Sequence, residues 1–118
     1  MYAGDYDALP PAATWSDRLR HYVNPDVFIC PEAPNLRSGY ALNRALAGMS
    51  VAEFLKLPRL DRTVLIYESD LGWNGAGGPD TITARPRHRG QDTFAFGDGR
   101  VEFRKRDRES DLIWRPAK

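Results

Sequence analysis

The sequence predicts an α+β domain built on an antiparallel sheet of about four strands, with a C-terminal β-hairpin packed by short helices. Three observations lead there. Asp98-Gly99 lies between alternating apolar residues, a strong short-range hairpin signal. The run Thr63-Val64-Leu65-Ile66-Tyr67-Glu68 is apolar on both faces, as a central strand covered on both sides must be. Helical spacing occurs only in short pieces, interrupted by nine prolines and ten glycines among 118 residues. At this length, with 42% hydrophobic residues, the chain can bury one core. Residues 1–118 are therefore read as a single globular domain, with an extended lead-in over 1–13 and a tail over 105–118.

The elements follow in chain order. Thr14-Trp15-Ser16-Asp17 starts a helix, with Thr14 or Ser16 as cap and Asp17 favoured in the first turn. Trp15, Leu19, Tyr22 and Val23 share one face of it. Asn24-Pro25 ends it, because a residue before proline avoids the helical region. Val27 to Cys30 reads as a short apolar strand or extended segment, 31–39 as loop, and Tyr40 to Asn43 as another short strand. Ser50-Val51-Ala52-Glu53 is a capping box opening a helix that stops before Pro58. The central strand over 63–68 follows. Gly72 to Asp80 is read as a long flexible loop that continues to Arg87 with no clear element.

The hairpin carries a register prediction. A two-residue type I′ loop at Asp98-Gly99 pairs Phe96 with Val101 and Phe94 with Phe103. Phe94, Phe96, Val101 and Phe103 then share one apolar face, and together with Trp15, Val64 and Ile66 they are the expected core.

Composition excludes several classes of function. The formal net charge is +1, too small for a strongly basic nucleic-acid binder. Charge is unevenly placed, however: residues 85–118 hold 10 Lys/Arg and 6 Asp/Glu. The plain reading is a solvated edge strand and tail. The alternative is a surface binding module in which Arg85, Arg87, Arg89, Arg104, Arg106 and Arg108, with Trp114, meet DNA phosphates or an acidic glycan. Cys30 is the single cysteine, so no intrachain disulfide forms, and nothing local activates its thiol. One cysteine and two histidines match no zinc spacing. Gly75-Ala76-Gly77-Gly78 lacks the Lys-Ser/Thr of a phosphate loop, and no serine sits in a nucleophile elbow. His88 and Asp98 are expected near opposite ends of the hairpin, too far apart to share a site. No enzyme activity is expected. Calcium is the one ion to consider, with Glu68, Asp70 and Asp80 flanking the glycine-rich loop as its ligands. No stretch approaches the roughly 20 apolar residues of a membrane span.

The landmarks in order resemble one family. His88 and Asp98-Gly99, nine residues apart, followed by Arg100-Val101, resemble the end of prepilin-type proteins with the His-x9-Asp-Gly signature. Tyr2-Ala3-Gly4-Asp5-Tyr6-Asp7, Leu9-Pro10-Pro11 and Trp15 to Leu19 resemble the segment after that family's anchor helix. Tyr22-Val23-Asn24-Pro25, Val27-Phe28-Ile29-Cys30-Pro31 and Tyr40-Ala41-Leu42-Asn43 resemble its middle, and Leu57-Pro58 with Thr63 to Glu68 its central strand. Arg100 stands where the family commonly has histidine, and the processing site and anchor helix lie outside this sequence. The resemblance implies a pseudopilin-like or minor-pilin-like head domain of a type II secretion or type IV pilus-like filament. Its partners are other pilin-like subunits or an N-terminal anchor helix, and its place is the cell envelope, periplasm or cell surface, tethered in a longer parent. Some pseudopilin heads use calcium in a loop, which adds to the reading of Glu68, Asp70 and Asp80. The resemblance also implies a hydrophobic groove on the sheet where the anchor helix would lie.

Overall fold

The structure is a computed structural model that describes residues 7–23, 25–33, 35–84, 87–105, 109 and 111–115. Five strands form one mixed sheet: β1 (Tyr40–Asn43), β2 (Val64–Glu68), β3 (Ala76–Gly77), β4 (Gln91–Phe96) and β5 (Val101–Lys105), in the order β3-β1-β2-β4-β5. β1, β2, β4 and β5 pair antiparallel, as expected. The fifth strand is a correction. β3 lies inside the expected loop and pairs parallel with β1 through Leu42↔Ala76 and Asn43↔Gly77.

Two short helices flank the sheet, α1 (Trp15–Leu19) and α2 (Val51–Leu55). α2 starts where its capping box places it, with Ser50 Oγ accepting from Glu53 N at 3.2 Å. α1 is capped from a distance. Thr14 makes no side-chain cap; Asn74 Oδ1 instead accepts from Ser16 N and Asp17 N at 2.7 and 3.1 Å. Asp17 in return accepts from Trp73 Nε1 and Asn74 Nδ2, both at 2.7 Å, and Trp15 Nε1 donates to Gly75 O. The loop expected to be flexible is thus clamped to α1. Of the segment 27–30, expected as a short strand or extended run, Val27 and Phe28 close a 3₁₀ turn (Pro25–Phe28), and 29–30 belong to no strand.

Strand pairing sorts the side chains onto two faces. An extra residue in β2, between Val64 and Ile66, breaks the alternation against β4. One face buries Ala41, Val64, Tyr67, Phe94 and Phe96. Its cover is Ile82, Leu112 and Trp114, all partly buried, so the described stretch 112–114 of the C-terminal tail packs on the core rather than standing in solvent. Ile113 fixes that strap by accepting from Val64 N and donating to Arg62 O, at 2.9 and 2.8 Å. The opposite face packs Leu42 and Ile66 under Trp15, Phe28 and Leu19.

The hairpin register differs from expectation by one residue. Ala95 faces Val101, Phe94 faces Glu102 and Thr93 faces Phe103. Phe96 N donates to Arg100 O and Gly99 N to Phe96 O, closing a three-residue loop at 97–99. Only Gly99, at φ 90°, takes the left-handed region; Asp98 stays out of it and accepts from Arg100 N instead. This is the three-residue hairpin of a turn followed by a left-handed glycine. The physical cause lies in β2, because Gly97 N is already committed to Thr63 O at 2.9 Å. A one-residue slip moves every side chain of β5 to the other face. Val101 and Phe103 therefore leave the expected core and stand 59% and 57% exposed on the Ile66 face.

Candidate functional site

The register of β5 creates the main surface feature. The N-terminal segment covers the Ile66 face over β1 and β2 only, leaving its β4–β5 half open. Between the two halves runs a groove of about 360 Å³. Its floor is Ile66, Thr93 and Ala95. One wall is Trp15, Leu19, Val23, Val27 and Phe28, the other Val101, with Tyr40 completing the lining. None of the described lining residues is charged. Val23, Val27 and Ile29 add exposed apolar surface on the N-terminal side, as Val101 and Phe103 do on the strand side.

Three chemically capable side chains meet on the same face. Cys30 and Glu68 are fully buried, and His88 is partly exposed. His88 Nε2 lies 2.8 Å from Glu68 Oε1 and 3.7 Å from Cys30 Sγ, while Sγ lies 3.8 Å from Glu68 Oε2. Despite the short ion-pair separation, Glu68 Oε1 has no hydrogen-bond partner. Arg87 supports the cluster from behind. Its NH1 donates to Gly39 O at 2.8 Å and stands 3.6 Å from Glu68 Oε2; its NH2 donates to Ser69 O and to Asp70 Oδ1. Phe103 sets its ring edge-on against His88, with centroids 5.5 Å apart. Burial, together with Cys30 and Glu68 beside it, pushes the Tyr40 phenol up to about 12.

Nothing local in the sequence supplies Cys30 with a histidine, but one 58 residues away reaches it. The signal was topological. β2 and β4 are antiparallel, so the residues just before β4 must lie beside the end of β2, where Glu68 stands. The arrangement is not a nucleophilic triad. Cys30 and Glu68 both approach Nε2, whereas a triad needs the thiol on one ring nitrogen and the carboxylate on the other.

The other predicted site residues disperse. Glu68, Asp70 and Asp80 do not form a ligand set: among the described residues the one such group of three is Cys30, Glu68 and His88. Asp70 accepts from Thr83 Oγ1, Ala84 N and Arg87. Burial raises its carboxyl, but these bonds outweigh it and hold the group below the ordinary value. Asp80 sits in a 3₁₀ turn beside β3. Asp98 and Gly99 serve the hairpin turn. Of the candidate phosphate-binding arginines, Arg85, Arg106 and Arg108 lie outside the described residues. The Arg87 side chain is 7% exposed and turned onto Glu68 and Asp70, and Arg104 pairs with Glu102 and Asp111, so neither is presented to a polyanion; Arg89 is exposed.

Among the described residues no helix is long and apolar enough to cross a membrane. Compared with family models, with curated proteins and with solved structures, the chain matches none of them.

Proposed function

We propose that this chain is the non-enzymatic head domain of a pilin-like subunit, working at the cell envelope by assembly in a type II secretion or type IV pilus-like filament. The single observation that carries the reading is the uncharged groove across the open half of the Ile66 face. Its occupant is an apolar α-helix, the anchor helix that the ordered sequence landmarks imply. The small floor residues Thr93 and Ala95 let a helix approach the sheet closely, and Val101 stands as one wall of such a seat, with Phe103 exposed further along the same strand. A fully buried aliphatic or aromatic side chain contributes about 1.5–3 kcal/mol. Covering two that are now more than half exposed therefore supplies about 2–3 kcal/mol.

A synthetic apolar helix of about 20 residues, flanked by lysines and held in a lipid nanodisc, tests this directly. Amide spectra of the protein should shift at Ile66, Thr93, Ala95 and Val101. Ala95→Trp fills the floor and should weaken the interaction about tenfold, equivalent to about 1.4 kcal/mol. No shift at these positions, or equal response from the filled variant, would overturn the reading.

A further inference from the structure

We propose that Cys30, Glu68 and His88 form a binding site for a zinc-class divalent metal ion. Three structural observations point there. The first is how the donors converge. The two sulfur separations, 3.7 and 3.8 Å, resemble edges of a small coordination polyhedron. Zinc bonds of roughly 2.3 Å to sulfur and 2.0–2.2 Å to nitrogen or oxygen give sulfur edges of about 3.6 Å in a tetrahedron. The nitrogen–oxygen edge, now 2.8 Å, needs to open by about 0.6 Å to reach the tetrahedral value.

The second is an under-satisfied donor. Glu68 Oε1 is fully buried with His88 Nε2 2.8 Å away but no hydrogen bond of sound geometry, so its lone pairs are only partly taken up. Oε1 faces His88, while Oε2 faces Cys30 Sγ with Arg87 behind it, so the carboxylate turns one oxygen toward each of the other two ligands. The guanidinium of Arg87 faces two carboxylates, Glu68 and Asp70, and a divalent ion beside Glu68 supplies the further positive charge.

The third is the supporting shell and its access. Arg87 fixes the glutamate from behind while held by two backbone carbonyls, the kind of outer-shell contact that orients metal ligands. On the other side of His88 opens a cleft of about 510 Å³ lined by Glu32, Arg89 and Gln91. It gives the ion an entry path and leaves a water to complete the coordination. Thiolate and imidazole favour zinc or cobalt over calcium and magnesium, which take oxygen. Binding releases the thiol proton to solvent and staples the Cys30 loop, the end of β2 and the segment before β4 together.

Cobalt(II) added to metal-stripped, reduced protein is the direct probe. One equivalent should produce a thiolate-to-cobalt charge-transfer band and visible d–d bands, and zinc should displace it. Zinc should also raise the unfolding temperature by several degrees, with no such rise on adding calcium. His88→Gln, at the partly exposed ligand, should keep the far-ultraviolet dichroism of the parent and lose the bands. Cys30→Ser is the second variant and should lose the charge-transfer band, while Glu32→Gln should keep all of them. No bands in the parent at millimolar cobalt, or bands unchanged in both ligand variants, would overturn the proposal. Either result leaves the groove reading standing, because the helix seat uses none of the three ligands.

Discussion

Gly39 shows how much a single position can decide. A Cβ there would lie 2.7 Å from Cys30 Cβ and 2.9 Å from Arg87 NH1. The chain after Phe28 is drawn against this glycine by a bond from Gly39 N to Phe28 O, so neither neighbour can retreat freely. Gly39→Ala should destabilise the fold by roughly 1–3 kcal/mol, the range for overpacking a filled interior. Urea unfolding reads the cost, and a midpoint equal to the parent's would show that the Cys30 loop yields. Nothing in the letters around Gly39 announces this role. Glycine in a loop is ordinary, and the crowding comes from residues 9 before and 48 after it. Residues whose role is local were legible: Ser50 caps α2, and Gly99 takes the left-handed turn position.

At the scale of elements, local signals located β1, β2, α2 and the hairpin, whereas choices made by neighbours stayed hidden. Asp98-Gly99 marks a turn, but the length of the loop depends on Gly97 serving β2. Ala76-Gly77 has no strand character of its own and pairs with β1 only because Trp73 and Asn74 are fastened to α1. That fastening gives a pH prediction. The indole of Trp73, and then the amide of Asn74, hold the Asp17 carboxyl below its usual 3.8. A lowered folded-state value means that the charged form is the one stabilised. The contribution is present above pH 3.8 and is lost as pH falls through the lower folded value. Asp17→Asn should unfold at a lower temperature than the parent at pH 7, and the gap should close as the pH is taken well below 3.8. A gap independent of pH in calorimetric scans would show that the carboxylate charge is irrelevant to the clamp.

For the whole molecule, the two sheet faces take their cover from opposite ends of the chain, the Ile66 face only over β1 and β2. Trp114 sets its ring edge-on against Tyr67 and Phe94, at 4.9 and 6.2 Å between centroids, and its carbonyl accepts from Asn43 Nδ2. Trp114→Ala should cost roughly 2–4 kcal/mol, somewhat less than for a fully buried aromatic. Against the 5–15 kcal/mol that holds a domain of this size, the loss should appear as a large fall in thermal midpoint. An unchanged midpoint would mean that the strap only decorates the sheet. The basic composition of the last residues masked this role, since the anchoring letters Leu112, Ile113 and Trp114 are few among charges. The α+β class was readable from the sequence, but the covering of each face was not, because it joins segments far apart in the chain.

The placement of β5 has one more consequence. It is the last strand of the sheet, so Val101 and Phe103 occupy an open margin, alternating with Glu102 and Arg104 and followed on their own face by Lys105. Those ionic neighbours act as gatekeepers against strand-to-strand stacking between copies. Added electrolyte weakens such guards, and sulfate or phosphate strengthens the attraction between greasy surfaces. The margin proposed above as a helix seat thus also makes the purified protein's tendency to clump a matter of buffer choice.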